Sequence, residues 1–120
     1  MRTFLTLAAV AALSTPAAAD RFEARLVAPT PQGGILAARL IVDGGPGGVR
    51  WTMACTDEGD LRGRPARIRT YQGSAPFEPE WVMGTAPEGR FTLALRGRPL
   101  LATSLEGCPK MGVPILRSFP

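Results

Sequence analysis

Histidine is absent from the 120-residue sequence. Its absence excludes a Ser-His-Asp triad, a Cys-His dyad and any metal site built on imidazole ligands. The two cysteines, Cys55 and Cys108, are too few for a four-thiolate zinc site, and their spacing excludes a CxxC redox or haem-attachment motif. The sequence therefore lacks the residues of many common catalytic and metal-binding sites.

Long hydrophobic runs are also scarce, and the one that stands out lies at the N-terminus. Met1 and Arg2 precede an apolar run over residues 4–13, and a Ser-Thr-Pro break leads to three alanines ending at Ala19. A run about half as long as the ~20 residues of a membrane span, followed by an Ala-x-Ala site, is typical of a Sec-type secretory signal peptide. The sequence predicts a signal peptide over residues 1–19, cleaved after Ala19, and a periplasmic or secreted protein; the alternative is an N-terminal membrane anchor.

Glycine and proline are abundant, with 14 and 12 residues, and they divide the chain into short segments. Proline disrupts helix interiors, whereas strands of about five or six residues fit between such breakers. Several segments alternate in polarity, and the clearest places four apolar residues at every second position: Val49, Trp51, Met53 and Cys55. A period of two directs one set of side chains to one face of a strand, which is expected to be the inward face.

Eight segments fit strands separated by turn sequences: 21–28, 35–43, 49–56, 66–72, 80–84, 90–96, 100–105 and 115–119. Short strands at such intervals predict an all-β protein, a single small antiparallel β-sandwich or barrel of about seven to eight strands. The predicted domain covers residues 20–120. The segment 35–43 is more apolar than the others, with Leu36 and Leu40 on one face and Ile35 and Ile41 on the other, and is expected to be a central strand.

The two cysteines are expected to pair. Cys55 ends the best-patterned strand on its inward face, and Cys108 follows a later strand. Two cysteines in an exported chain of this size are most simply explained by one structural disulfide. The sequence therefore predicts a bond that ties the C-terminal part of the chain to the sheet.

A basic segment is the first candidate binding site. Four arginines lie within eight residues, Arg62, Arg64, Arg67 and Arg69. On a strand, Arg67 and Arg69 share a face with Tyr71. Arginine suits bidentate contacts with phosphate or carboxylate, so these five residues form a candidate surface for an anion or a partner. The alternatives are a solvated strand face and protection of an edge strand against aggregation.

The second candidate is an apolar patch formed by Phe77, Trp81 and Met83 in a segment rich in proline. If exposed, large apolar side chains mark a partner-binding site. The alternative is a further contribution to the core.

Two groups of carboxylates are candidate catalytic residues of a hydrolase. Asp57 and Asp60 lie in a turn sequence, and Glu78 and Glu80 flank a proline. Paired carboxylates can perform acid–base catalysis when burial separates their pKa values. Turn formation is the simpler interpretation of the first pair, with calcium binding as a lesser alternative.

Together these features predict a non-catalytic exported β-domain that binds a partner protein or an anionic envelope component. The alternatives are an inhibitor of an envelope-directed hydrolase and a carboxylate-dependent hydrolase. No cofactor, metal or membrane span after signal removal is expected. Nucleic acid is not an expected partner, because the sequence has no series of aromatic residues for base stacking.

Overall fold

The computed structural model describes residues 21–31, 33–45, 47–59, 63, 65–76 and 78–119. They form nine strands: β1 Arg21–Pro29, β2 Ile35–Gly45, β3 Gly48–Asp57, β4 Arg67–Ala75, β5 Trp81–Ala86, β6 Gly89–Ala94, β7 Leu100–Thr103, β8 Met111–Gly112 and β9 Ile115–Ser118. This part of the chain contains no helix, and thus none long and apolar enough to cross a membrane. The prediction of an all-β protein is confirmed, while the predicted signal peptide lies outside the described residues.

Each of the eight predicted strands overlaps an observed strand, with small differences at the ends. The additional strand is β8, which is two residues long. A pair of residues is too short to show alternation, and the neighbouring Pro109 and Pro114 make this region resemble a loop in sequence. The strand exists because its backbone pairs with β7, with Met111 opposite Ala102.

The strands form two antiparallel sheets. The five-stranded sheet has the order β4-β3-β2-β1-β9, so β2 is its central strand, as the apolar segment predicts. The four-stranded sheet has the order β5-β6-β7-β8. Most neighbours follow one another along the chain, but β9 leaves the second sheet and pairs with β1, with Arg25 opposite Ile115.

One hydrophobic core lies between the two sheets. The predicted inward residues of β3 are all buried: Val49, Trp51, Met53 and Cys55. The other sheet contributes Phe91 and Leu93, which are 1% and 0% exposed. The rings of Trp51 and Phe91 meet edge to face with their centroids 4.8 Å apart, a geometry that aromatic quadrupoles favour. This contact joins the two sheets within the core.

The predicted disulfide between Cys55 and Cys108 is present. Cys55 belongs to the five-stranded sheet, and Cys108 belongs to the connection between β7 and β8 of the other sheet. Their Cα atoms are 5.1 Å apart, and 53 residues separate them in sequence. The bond therefore links the two sheets covalently.

Candidate functional site

The predicted basic face of β4 lies beside the loop that carries Cys108. Tyr71 is buried, and its hydroxyl donates a 2.6 Å hydrogen bond to the carbonyl oxygen of Glu106. A guanidinium nitrogen of Arg69 lies 3.5 Å from the Glu106 carboxylate. Two members of the predicted surface thus hold β4 against this loop.

Arg67, from the predicted basic face, is exposed and lies opposite Asp57 in β3. Arg62 and Arg64 lie outside the described residues. The structure therefore brings Arg67, Arg69 and Tyr71 to one side of β4, as the alternation predicts.

A larger basic surface lies on the outer face of the five-stranded sheet. Four strands contribute five exposed arginines to it: Arg21 and Arg25 from β1, Arg39 from β2, Arg50 from β3 and Arg117 from β9. Arg25 lies directly opposite Arg39, which is a pairing of like charges. Asp43 and Glu23 are the acidic residues of this face within the described strands. We call this surface the arginine face.

Glu23 lies within the arginine face, although its side chain is only 4% exposed. Its carboxylate accepts a hydrogen bond from Nε of Arg39 and forms an ion pair with that guanidinium. This hydrogen bond lowers the pKa of Glu23, and the positive charges of Arg39, Arg25 and Arg117 lower it further, while burial opposes them. One carboxylate therefore faces three guanidinium groups, and the cluster keeps an excess of positive charge.

Phe119 holds two of the guanidinium groups on the arginine face. Those of Arg21 and Arg117 lie 5.3 and 5.9 Å from the centre of its ring, within the range of a cation–π interaction. The backbone N–H of Phe119 donates a 2.9 Å hydrogen bond to the carbonyl oxygen of Arg21. These contacts hold the positively charged guanidinium groups of Arg21 and Arg117 at the edge formed by β1 and β9.

A cleft of about 410 Å³ opens at the edge formed by β1 and β9. Its polar lining is Glu23, Arg25 and Arg117, and its apolar lining includes Val27, Val113 and Ile115. These three aliphatic side chains are 61%, 45% and 75% exposed. We call this the β1–β9 cleft; it places guanidinium groups beside an aliphatic wall.

Two rows on the outer face of the four-stranded sheet are apolar, and the next row carries the exposed Arg90 opposite Thr85. Trp81 and Met83, from the predicted apolar patch, are exposed there at 38% and 39%, while Phe77 lies outside the described residues. The register aligns Trp81 with Ala94 and Leu100 in one row, and Met83 with Thr92, Ala102 and Met111 in the next. These two rows contain no charged residue, and their four large apolar side chains are each at least 38% exposed. We call this surface the apolar face.

The predicted carboxylate pairs lie in different surroundings. Glu78 is half-buried and lines a cleft of about 280 Å³ with Phe22 and Val82 at one end of the core. The carboxylate of Glu80 is exposed and lies 3.2 Å from the guanidinium of Arg96.

Asp57 accepts a 3.0 Å hydrogen bond from the backbone N–H of Gly59, an arrangement common in turns. Asp60, its predicted partner, lies outside the described residues. Among the residues that the structure describes, no group of three or more carboxylates and cysteines is placed to hold a metal ion.

The arginine face is the feature that sequence reasoning missed. Arg25, Arg39 and Arg50 each neighbour an inward apolar residue along their strand, so alternation alone directs them outward. Their assembly into one surface depends on register and on the pairing of β9 with β1, which no local pattern reveals.

Comparison of the sequence with protein families and with curated proteins, and of the structure with solved structures, finds no match.

Proposed function

We propose that the protein is a non-catalytic binding protein of the periplasm or the extracellular space. In this proposal the two sheets form a β-sandwich scaffold, and the arginine face binds an anionic component of the cell envelope. The disulfide supports an oxidising compartment, because such bonds persist outside the cytosol.

The cluster around Glu23 carries the proposal. Three arginines surround one carboxylate, and Arg25 lies directly opposite Arg39. Like charges in such positions destabilise a sheet, so the arrangement costs folding free energy that a bound anion would offset. Guanidinium groups suit phosphate and carboxylate because they donate two parallel hydrogen bonds.

Charge reversal on the arginine face tests this function. The double variant Arg25→Glu with Arg117→Glu is expected to lose retention on an anionic matrix at about 0.1 M salt, where attraction still acts over about 10 Å. The matched control is Arg90→Glu with Arg98→Glu, which changes the net charge equally at one exposed residue of β6 and one exposed residue of the β6–β7 connection. Circular dichroism establishes that both variants keep the β-fold.

Equal losses in both double variants would show that retention follows net charge, and would overturn the assignment to the arginine face. Arg67→Glu tests the basic face predicted from sequence in the same assay. A larger loss from that single change would place the anion site on β4 instead.

The apolar face supports a second candidate function, the binding of a partner protein. Apolar patches that a sheet leaves exposed are typical of interaction sites, and tryptophan and methionine are enriched in them. Trp81, Met83 and Met111 present such side chains in two adjacent rows.

Site-specific photo-crosslinking in the producing cell tests the second function. A photoreactive residue at Met83 or Leu100 is expected to yield a crosslink to one discrete protein. The same residue at Thr52, exposed on the opposite sheet, is expected to give none. Identical products from all three positions would contradict a partner seated on the apolar face.

A further inference from the structure

We propose that the β1–β9 cleft binds an amphiphile with an anionic headgroup and an aliphatic chain. The inference rests on the proposed function, since Arg25 and Arg117 supply the positive charge in both. It goes further because it names the chemical class of the ligand and the part of the arginine face that binds it.

The polar end of the cleft is suited to a headgroup that carries a negative charge. Arg25 and Arg117 line it on adjacent strands, and both act electrostatically on the single carboxylate of Glu23. That carboxylate is already bound by Arg39, so Arg25 and Arg117 are left as cations that Glu23 does not neutralise. A phosphate or carboxylate headgroup would neutralise the positive charges of Arg25 and Arg117 and accept hydrogen bonds from both guanidinium groups.

The apolar wall of the cleft is suited to a chain. Val27 and Ile115 are more than half exposed, and Val113 adjoins them on the connection to β9. Single exposed aliphatic residues are common, but three that line one cleft beside two arginines form an amphiphilic site.

The shape of the cleft also favours an aliphatic ligand over a small inorganic ion. Its volume of about 410 Å³ lies within the range of ligand-binding sites. Leu26 lines it as well, and the end of β8 approaches closely there, because a Cβ atom on Gly112 would lie 2.6 Å from Cδ1 of Leu26. An inorganic phosphate would leave the Val27 and Ile115 side chains in water.

Alkyl phosphates of increasing length, kept below their micellar concentrations, test the inference by isothermal titration calorimetry. Burial of one methylene raises an affinity about fourfold, so decyl phosphate is expected to bind at least about tenfold more tightly than ethyl phosphate. The variant Val27→Ser with Ile115→Ser is expected to abolish this dependence on chain length while keeping retention on the anionic matrix. Met83→Ser with Met111→Ser, on the apolar face, is the matched control and is expected to behave as the unmodified protein.

The outcomes separate the inference from the proposed function. Retention on the matrix with no dependence on chain length would overturn the inference and leave the proposed function standing. If the unmodified protein shows neither retention on the matrix nor a dependence on chain length, both the inference and the proposed function are overturned. A dependence on chain length that is removed by the Met83 and Met111 changes would also overturn the inference, since it would place the chain on the other sheet.

Vesicles distinguish the two sources of such a ligand. Co-sedimentation with phosphatidylglycerol vesicles, absent with phosphatidylcholine and lost in the Val27 and Ile115 variant, would identify a lipid within a membrane. Binding of decyl phosphate without co-sedimentation would identify a free amphiphile. Either result supports the cleft, and failure in both assays contradicts it.

Discussion

Glu23 shows how one buried carboxylate organises a surface of opposite charge. Its side chain is nearly inaccessible, yet it lies on the outer face of a sheet, where long arginine side chains surround it. A buried carboxylate without a partner would be costly, whereas a charge-assisted hydrogen bond to Arg39 stabilises the ionised form. Glu23 therefore restrains Arg39 directly, whereas Arg25 and Arg117 act on it through their charges, and the guanidinium of Arg117 also lies over the Phe119 ring.

The lowered pKa of Glu23 predicts a dependence of stability on pH. Its folded-state pKa lies below the usual value of 4.5, so the ionised group stabilises the fold above that pH. This contribution is lost as the pH falls through the folded-state pKa. Glu23→Gln is expected to be less stable than the unmodified protein at pH 6–7, with a difference that narrows as the solution is acidified below about pH 4.

Urea unfolding measured from pH 3 to pH 7 checks this prediction. Glu88→Gln removes the same charge from the exposed turn between β5 and β6 and is the control. A difference between Glu23→Gln and the unmodified protein that stays constant over this range would show that the ionisation of Glu23 does not stabilise the fold.

At the scale of elements, β5 approaches β3 closely because Gly84 has no side chain. A Cβ atom at this position would collide with the Phe91 ring and lie 2.5 Å from the Trp51 indole. Both rings are buried in the contact that joins the sheets, so neither can move without disturbing the core. The glycine is required by packing, since its backbone does not have a positive φ.

Gly84→Ala is therefore expected to destabilise the protein by about 1–3 kcal/mol or more, the usual cost of overpacking a core. Gly45→Ala in β2 is the control, because its Cβ would meet its nearest neighbour at an ordinary 3.8 Å. Thermal unfolding followed by circular dichroism measures both. A melting temperature for Gly84→Ala equal to that of the control would mean that the core accommodates the methyl group.

The strands were predictable from sequence because alternation is local. Trp51 and Met53 face the core as their spacing indicates, and the disulfide follows from the presence of two cysteines in a chain with a predicted signal peptide. The apolar face and the arginine face could be predicted less well from the sequence. Trp81 and Leu100 come to lie in one row of the apolar face with Ala94 between them, and Arg25 and Arg117 come to lie near the cleft, through pairings between strands that no local pattern specifies. Such pairings are set by the packing of whole sheets.

At the scale of the molecule, one core separates two faces of different chemistry. The arginine face is charged, and the apolar face carries Trp81 and Met83 in rows without charge. In the function proposed above, the arginine face binds an anionic envelope component and the apolar face binds a protein. The core between the two sheets must therefore stabilise the fold without contributions from these two outer surfaces.

The disulfide is expected to provide much of that stability. Closing a loop between residues 53 apart contributes about 4 kcal/mol by loss of chain entropy in the unfolded state. Cys55→Ser with Cys108→Ser, or reduction of the bond, is expected to lower the melting temperature by about 10 °C or more, or to prevent accumulation of the protein. Calorimetry of the oxidised and reduced forms checks this, and equal melting temperatures would refute a structural role for the bond.

The pairing of β9 with β1 has a consequence for the timing of folding. β1 lies near the N-terminus and is synthesised early, whereas β9 lies near the C-terminus and is synthesised late. The backbone groups of Phe22–Arg25 that pair with β9 therefore have no strand partner until β9 is available. Pairing across such a separation is slow because loop closure precedes the gain from contacts. Arg25 and Arg117 become neighbours only when β9 pairs with β1, so the β1–β9 cleft is complete only at a late stage of folding.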